Sequence, residues 1–355
     1  MATEEGAPPA PAITTPFWDG VLVGGLSLGG MSAALAFVHL TEGFGRAFDK
    51  SDWIVLSILV NSTHFMASYR LLYTSRDPLR TSPWAALYVP VLLGVLLVWR
   101  VGGPGGAALA DGILLVASLY LAVHYTGQAW GMVSVFARLA GGEFEPGERR
   151  AIRSGMFTLL AVHVLLATSG MHPPESWIAK EDYFALYRIA FRTTCAVAAL
   201  TLVAGAIAFG RARWRGEPVP ARCVLPWLSL YFWYPTWFLV PGGPLFVQLA
   251  HALQYLSLPL RVEANRHVAR GGAGSGRHVA FVYLALVVVG AIILKGPPLA
   301  SRLIGQGWYS TLFVRDAFTT FVLLVNIHHF FIDGALWKLR NPEVRRELFA
   351  HVRPG

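Results

Sequence analysis

Ten apolar runs, each long enough to cross a hydrocarbon layer and joined by short connections, dominate this 355-residue chain. A helix needs about 20 apolar residues to cross the roughly 30 Å core of a bilayer. Runs of that order occupy 17–40, 52–73, 83–101, 107–138, 151–170, 185–209, 222–240, 243–260, 278–296 and 310–337. Hydrocarbon offers no hydrogen-bond partners, so a spanning segment must close its backbone bonds on itself as a helix or on its neighbours in a sealed barrel. Barrel strands need only about ten residues of alternating pattern, and these runs are longer and continuously apolar. The expected fold class is therefore all-α, a polytopic integral membrane protein of about ten transmembrane helices. With 55% hydrophobic and 14% charged residues, the chain also has too little polar surface for a water-soluble globule of its length.

Basic residues mark one side of these spans. They follow the second (Arg70, Arg76, Arg80), the fourth (Arg138, Arg149, Arg150, Arg153) and the sixth (Arg211, Arg213, Arg215, Arg222). They recur after the eighth (Arg261, Arg266, Arg270, Arg277) and the tenth (Lys338, Arg340, Arg345, Arg346, Arg353), while the intervening loops carry few. Cytoplasmic loops of membrane proteins are the basic ones, so both termini are expected to be cytoplasmic. The domain reading is a disordered, acidic, proline-rich tail over 1–16, a single transmembrane helical domain over 17–340, and a cytoplasmic tail over 341–355. An inner, cytoplasmic-type membrane of the bacterial kind is the expected location. The net charge of +9 then lies on one face, where it suits anionic lipid head groups or an acidic partner protein and serves equally as a topology determinant. Nucleic acid is a poor partner, because the arginines are dispersed over short loops with no recognition motif. Two cysteines, Cys195 and Cys223, supply neither a disulfide framework nor a thiolate metal site.

Histidines inside these spans are the chemically informative residues, because polar groups are costly in hydrocarbon. His64, His124 and His251 lie in the second, fourth and eighth spans, and His328 and His329 in the tenth. All four spans run in the same direction by the arginine pattern, and the depths of their histidines are compatible with one site in the cytoplasmic half of the membrane. Each has a polar companion three or four residues away on its own helix face. Asn61 accompanies His64, Gln128 accompanies His124, Gln254 accompanies His251, and Asp333 accompanies His329. Such pairs can supply two ligands, or one ligand and the acceptor that fixes its tautomer. Arg70, Arg261 and Glu263, near the cytoplasmic ends of these helices, are candidates for a substrate head group, with snorkelling anchors as the plain alternative. His163 is mid-membrane without a companion, and His39 ends the first span, so both stand outside the expected site. The aromatic stretch LPWLSLYFWYPTWFLVP reads as an interfacial belt, and the glycines Gly24, Gly25, Gly29 and Gly30 as places for close helix packing.

An imidazole-rich site with one carboxylate and no thiolate suits iron, zinc or copper better than magnesium or calcium. The paired His328-His329 resembles half of an HxxHH box, and His124-x-x-x-Gln128 resembles HxxxH with glutamine in the second position. In these motifs the chain resembles the histidine-rich integral-membrane non-heme iron enzymes, the fatty-acid hydroxylases, desaturases and alkane monooxygenases. Those families have fewer spans and carry their boxes largely in cytoplasmic extensions, so the likeness covers short motifs only. The depth and spacing of the residues give one metal site, for one or two Fe ions, built by His64, His124, His251, His328, His329 and Asp333, with Asp333, Gln128 and Gln254 as candidate catalytic residues; the likeness implies chemistry at a non-heme iron centre. It further implies oxidation by O2 of a lipid or other hydrophobic substrate, and a separate electron donor, since no flavin, ferredoxin or nucleotide-binding domain is encoded. Two alternatives share the residues. A zinc-dependent intramembrane lipid hydrolase would use three histidines with Asp333 as general base, and resembles the transmembrane ceramidase and adiponectin-receptor type. A b-type heme carrier would use histidines of facing helices as axial ligands. Transport is a weaker reading, as the two halves show no repeated pattern.

Overall fold

The computed structural model describes residues 11–40, 54–75, 78–171, 174–240, 242–304, 312–338 and 341–352. Every regular element among them is a helix. Apart from the single turns Pro78–Thr81 and Ala350–Val352, these are in chain order α1 (16–40), α2 (54–73), α3 (Trp84–Gly102), α4 (Gly106–Leu139) and α5 (Pro146–Ala167). They continue with α6 (Lys180–Trp214), α7 (Ala221–Leu239), α8 (Gly243–Ala269), α9 (Ser275–Ile304), α10 (Leu312–Leu336) and the short α11 (Pro342–Leu348). The side chains of His39 and Arg302, and residues His172, Arg76, Arg340 and Arg353, lie outside the described residues.

Seven helices are long and apolar enough to cross a membrane: α1, α3, α4, α5, α6, α9 and α10. The other three expected spans, 52–73, 222–240 and 243–260, are helices too but fall short on length or apolarity among the described residues. The reason is their position. The α8 helix packs against α1, α2, α4, α7, α9 and α11, and burial among protein neighbours lets it carry His251, Gln254, Ser257, Glu263 and Asn265, all buried.

Close packing of α1 on α7 rests on Gly24, where a Cβ would come within 2.8 Å of the Leu225 backbone carbonyl carbon and Cβ. Gly29 and Gly30 face open space instead. The α7 aromatics correct the belt reading: Trp227 and Trp233 are 1% exposed, and Tyr231 and Tyr234 are also buried, in the main core shared with α4, α5 and α6. Aromatic side chains reach the interface only if their helix faces lipid there, and α7 is enclosed.

The described part of the expected N-terminal tail, from residue 11, is held to the bundle. Asp19 accepts from the backbone amides of Ile13 and Thr14, both at 2.8 Å, and Ile13 is fully buried. Arg222 donates to the Pro11 carbonyl at 2.6 Å and lies 3.5 Å from Asp19. The expected C-terminal tail also folds back: Asn265 of α8 donates to the Glu347 and Leu348 carbonyls at 2.7 and 3.2 Å. His351 Nε2 lies 2.7 Å from the Ala12 carbonyl oxygen, so the first and last described segments meet on one face of the bundle.

Among the described residues, three helices contain π-type turns: Val21–Gly25 in α1, Ser57–Ser62 in α2 and Trp84–Tyr88 in α3. Such turns widen the helix, shift the facing of residues beyond them and leave carbonyls available, and they concentrate at functional sites. One ends just before His64, and another contains Ala85, whose carbonyl meets His328.

Candidate metal centre

Helical spacing decides which histidines can meet. Adjacent residues point about 100° apart on a helix, while residues four apart share a face. Only one of His328 and His329 can therefore point with Asp333 into the bundle, and it is His329, whose Nε2 lies 3.4 Å from Asp333 Oδ2. His64 from α2, His124 from α4, His251 from α8 and His329 from α10 converge, each offering a ring nitrogen, with all four nitrogens within 4.8 Å of one another. His64 and His329 are fully buried, His251 is 3% exposed and His124 is 8% exposed. Their rings pack edge to face, with centroids 4.4 Å apart for His64 and His329, 5.0 Å for His64 and His251, and 4.7 Å for His124 and His251.

The donors are poorly satisfied without a guest. Both ring nitrogens of His64 and of His329, Nδ1 of His251 and Oδ2 of Asp333 are buried with no hydrogen-bond partner among the described residues. The one bond within the group joins His124 Nε2 and His251 Nε2 at 3.0 Å. An orphaned buried polar atom costs about 1–3 kcal/mol, so this many in one place calls for a compensating ligand. Metal–nitrogen bonds of about 2.0–2.1 Å place neighbouring ligand nitrogens roughly 3.0–3.4 Å apart. Four imidazoles gathered to this degree fit the shell of a single ion, and Asp333 Oδ2 lies beside the group, 3.4 Å from His329 Nε2 and 3.8 Å from His124 Nε2.

Asp333 is aimed by its other oxygen. Ser68 donates to Oδ1 at 2.7 Å and the Tyr255 hydroxyl at 3.0 Å, leaving Oδ2 toward the imidazoles. Trp337 Nε1 donates to the Tyr255 oxygen at 2.6 Å, and the Tyr255 ring lies 4.3 Å from that of His64. These supporting residues are unmarked as chemical groups, yet the four-residue spacing finds them: Ser68 follows His64, Tyr255 follows His251 and Trp337 follows Asp333, each by four positions.

The remaining expected residues sit elsewhere. His328 donates from Nε2 to the Ala85 carbonyl at 2.7 Å and accepts at Nδ1 from the Tyr69 hydroxyl at 2.8 Å, so neither nitrogen is available. Gln128 donates to the His251 backbone carbonyl at 2.8 Å and Gln254 to Ser229 at 3.2 Å; neither hydrogen-bonds an imidazole among the described residues. Each holds a helix contact around the site. Asn61 is buried with its Oδ1 unpaired. Arg70 and Glu263 bind each other through two contacts of 2.9 and 3.0 Å, tying α2 to α8, and Arg261 donates to the Ile13 carbonyl. These three charges are engaged with protein groups instead of facing a substrate. His163 lies 3.4 Å from the Tyr234 hydroxyl, outside the group.

A cleft of about 250 Å³ between α4, α8 and α10 reaches His124 and Asp333. Its walls are mainly apolar, including Val123, Met132, Leu258 and Phe330, and Gly127 and Gly131 leave space where side chains would stand. Val123 is 48% exposed on the outer wall, so the cleft borders the bundle surface. Comparison of the chain with protein-family models, curated proteins and solved structures finds no match.

Proposed function

We propose that this protein is an integral membrane oxidoreductase that holds one non-heme iron ion between α2, α4, α8 and α10 and oxidises a lipid or other hydrophobic molecule with O2. The observation that carries the proposal is the gathering of four buried imidazoles and one carboxylate oxygen, most of them unpaired, beside an apolar cleft. Imidazole and carboxylate without thiolate suit iron, zinc or copper. Four imidazoles with a carboxylate beside them exceed the usual three protein ligands of a catalytic zinc, which favours iron. A dinuclear centre needs more ligands than this single group offers, which favours one ion. Heme b is disfavoured because the imidazoles touch one another edge to face and leave no slot for a macrocycle. The same donor chemistry underlies the likeness to the membrane hydroxylases, desaturases and alkane monooxygenases.

Iron bound here would supply reductive activation of oxygen and hydrogen abstraction. The chain's residues do the rest. His64, His124, His251 and His329 fix the ion, and Ser68 and Tyr255 hold Asp333 so that Oδ2 faces it. Phe330, Met132 and Leu258 exclude water and align an apolar segment of substrate against the His124 side. Electrons come from a separate donor, for which the arginine-rich face is a suitable dock.

We place both termini in the cytoplasm and count ten spans. Contact of Ala12 with His351 supports an even number, whereas the seven most apolar helices are odd in number. Adding α2, α7 and α8 restores the parity and agrees with the arginine pattern, putting the metal toward the cytoplasmic side. Elemental analysis of the detergent-purified chain, with an absorbance spectrum of the same sample, tests the function. About one iron per chain without a Soret band is expected. Zinc would replace this reading with a hydrolase using Asp333 as base, and iron with a Soret band would make the chain a cytochrome.

A further inference from the structure

The apolar cleft has a larger neighbour at Trp337. It adjoins a chamber of about 890 Å³ at the end of the bundle where the first and last described segments meet, and Tyr120, Gly334 and Trp337 line both spaces. A Cβ at Gly334 would meet nothing within 4 Å, so no side chain packs onto this part of the shared wall. The walls change character along this path. Around His124 they are mainly apolar, whereas the chamber adds Arg266, Lys338, Asn341, Glu343, Arg346 and Glu347 to apolar walls such as Leu71, Trp84 and Phe331.

The charges in the chamber are unequal. Arg266 pairs with Glu347 at 3.0 Å, and Arg346 lies 3.9 Å from Glu343. Lys338 has no carboxylate within ion-pair distance among the described residues. Lys338 is thus the unpaired cation among the described residues of the chamber, and the neighbouring cleft is mainly apolar and reaches His124 and Asp333. Space graded in this way matches a molecule graded in the same way, with a charged head and a hydrocarbon tail.

We propose that the chamber and cleft together form the binding site of a long-chain amphiphile with an anionic head group. The head is held in the chamber by Lys338, and the chain passes Gly334 and Trp337 into the cleft beside His124. This inference rests on the histidine cluster as the reaction centre and narrows its substrate from any hydrophobic molecule to an anionic lipid. The reacting carbon then lies within the chain and away from the head, since the head is kept on the chamber side of Trp337.

Photolabelling tests binding without requiring turnover. The full chain in nanodiscs is irradiated with a long-chain fatty acid bearing a diazirine near its methyl end, and in parallel with the methyl ester of the same acid. Labels from the acid are expected in the peptides covering 123–135 and 330–337. Lys338→Glu should lower that labelling about tenfold, the size of effect expected from losing and reversing one charge contact in a partly desolvated site. Lys338 is exposed, so folding should survive the change. Equal labelling by acid and ester, insensitivity to Lys338→Glu, or labels confined to outward-facing residues such as Val91 and Ile292 would overturn the proposal. The labelling should persist in His329→Ala, so a failure of the metal assignment and a failure of this site give different results.

Discussion

The crossing of α2, α4, α8 and α10 and the neighbouring α5–α6 hairpin solve the membrane problem in opposite ways. In α8, 15 of 27 residues are buried, histidine, glutamine, serine and glutamate among them. In α6, 5 of 35 are buried, and those are small or aromatic: Ala198, Gly205, Ala208, Phe209 and Ala212. The hairpin meets hydrocarbon with apolar side chains and uses glycine to let helices approach, as at Gly155 against Tyr231 and Gly205 against Trp227. The crossing is shielded by the other helices and can afford polar groups. Two of the four site helices, α4 and α10, are apolar enough to be found as spans, and a search by apolarity alone passes over the other two, α2 and α8.

The sharpest way to break this contrast lies within the crossing, between two adjacent residues. His329→Ala should reduce bound metal from about one ion per chain to less than a tenth, because a ligand is lost and His64 loses its ring neighbour. His328→Ala should keep metal near the wild-type level, since both its nitrogens serve Ala85 and Tyr69. Metal analysis of the two variants side by side decides it, and equal losses would place both histidines in the shell.

Next in size is a change in the cleft. Gly127→Leu adds a side chain where nothing stands within 4 Å. Metal content and thermal stability should hold while labelling or turnover of a lipid falls about tenfold. Unchanged labelling would separate the cleft from substrate.

In the hairpin the effects should reverse. Gly205→Leu forces atoms into the Trp227 ring, which a Cβ would already approach at 2.4 Å. A loss of about 1–3 kcal/mol is expected from such overpacking, seen as a lower unfolding temperature in detergent, with metal per folded chain unchanged. Loss of metal without loss of stability would mean that the two regions are coupled.

The smallest effect belongs to the tie between α2 and α8. Arg70→Met leaves Glu263, 7% exposed, without its bidentate partner. Roughly 1 kcal/mol of stability should be lost, limited by the exposure of Arg70, and metal content should stay the same. A larger loss accompanied by release of metal would make the pair part of the site's support.

Much of this architecture is legible in the residues. Helical spans follow from run length, and the site helices from their histidines, since His64, His124, His251 and His329 could be named before any contact was known. Asp333 follows from its four-residue spacing to His329. The same rule could separate His329 from His328, but an HH pair invites reading both as ligands. Arg70 and Glu263 point the same way: each is visible as a charge, and only tertiary contact reveals that they neutralise each other. The belt reading of α7 failed because an aromatic run has the same composition at an interface and in an enclosed core. The π turns before His64 and at Ala85 set which way side chains face, and Ser and Trp residues there carry no signal of it.

X-ray absorption at the metal edge of the purified chain addresses the four-histidine centre most directly. An iron edge is expected, with imidazole scattering from about four nitrogens and one further oxygen near 2.0–2.2 Å, and with no sulfur scatterer. A zinc edge, a sulfur shell, or a shell of two or fewer imidazoles would contradict the centre proposed for His64, His124, His251 and His329.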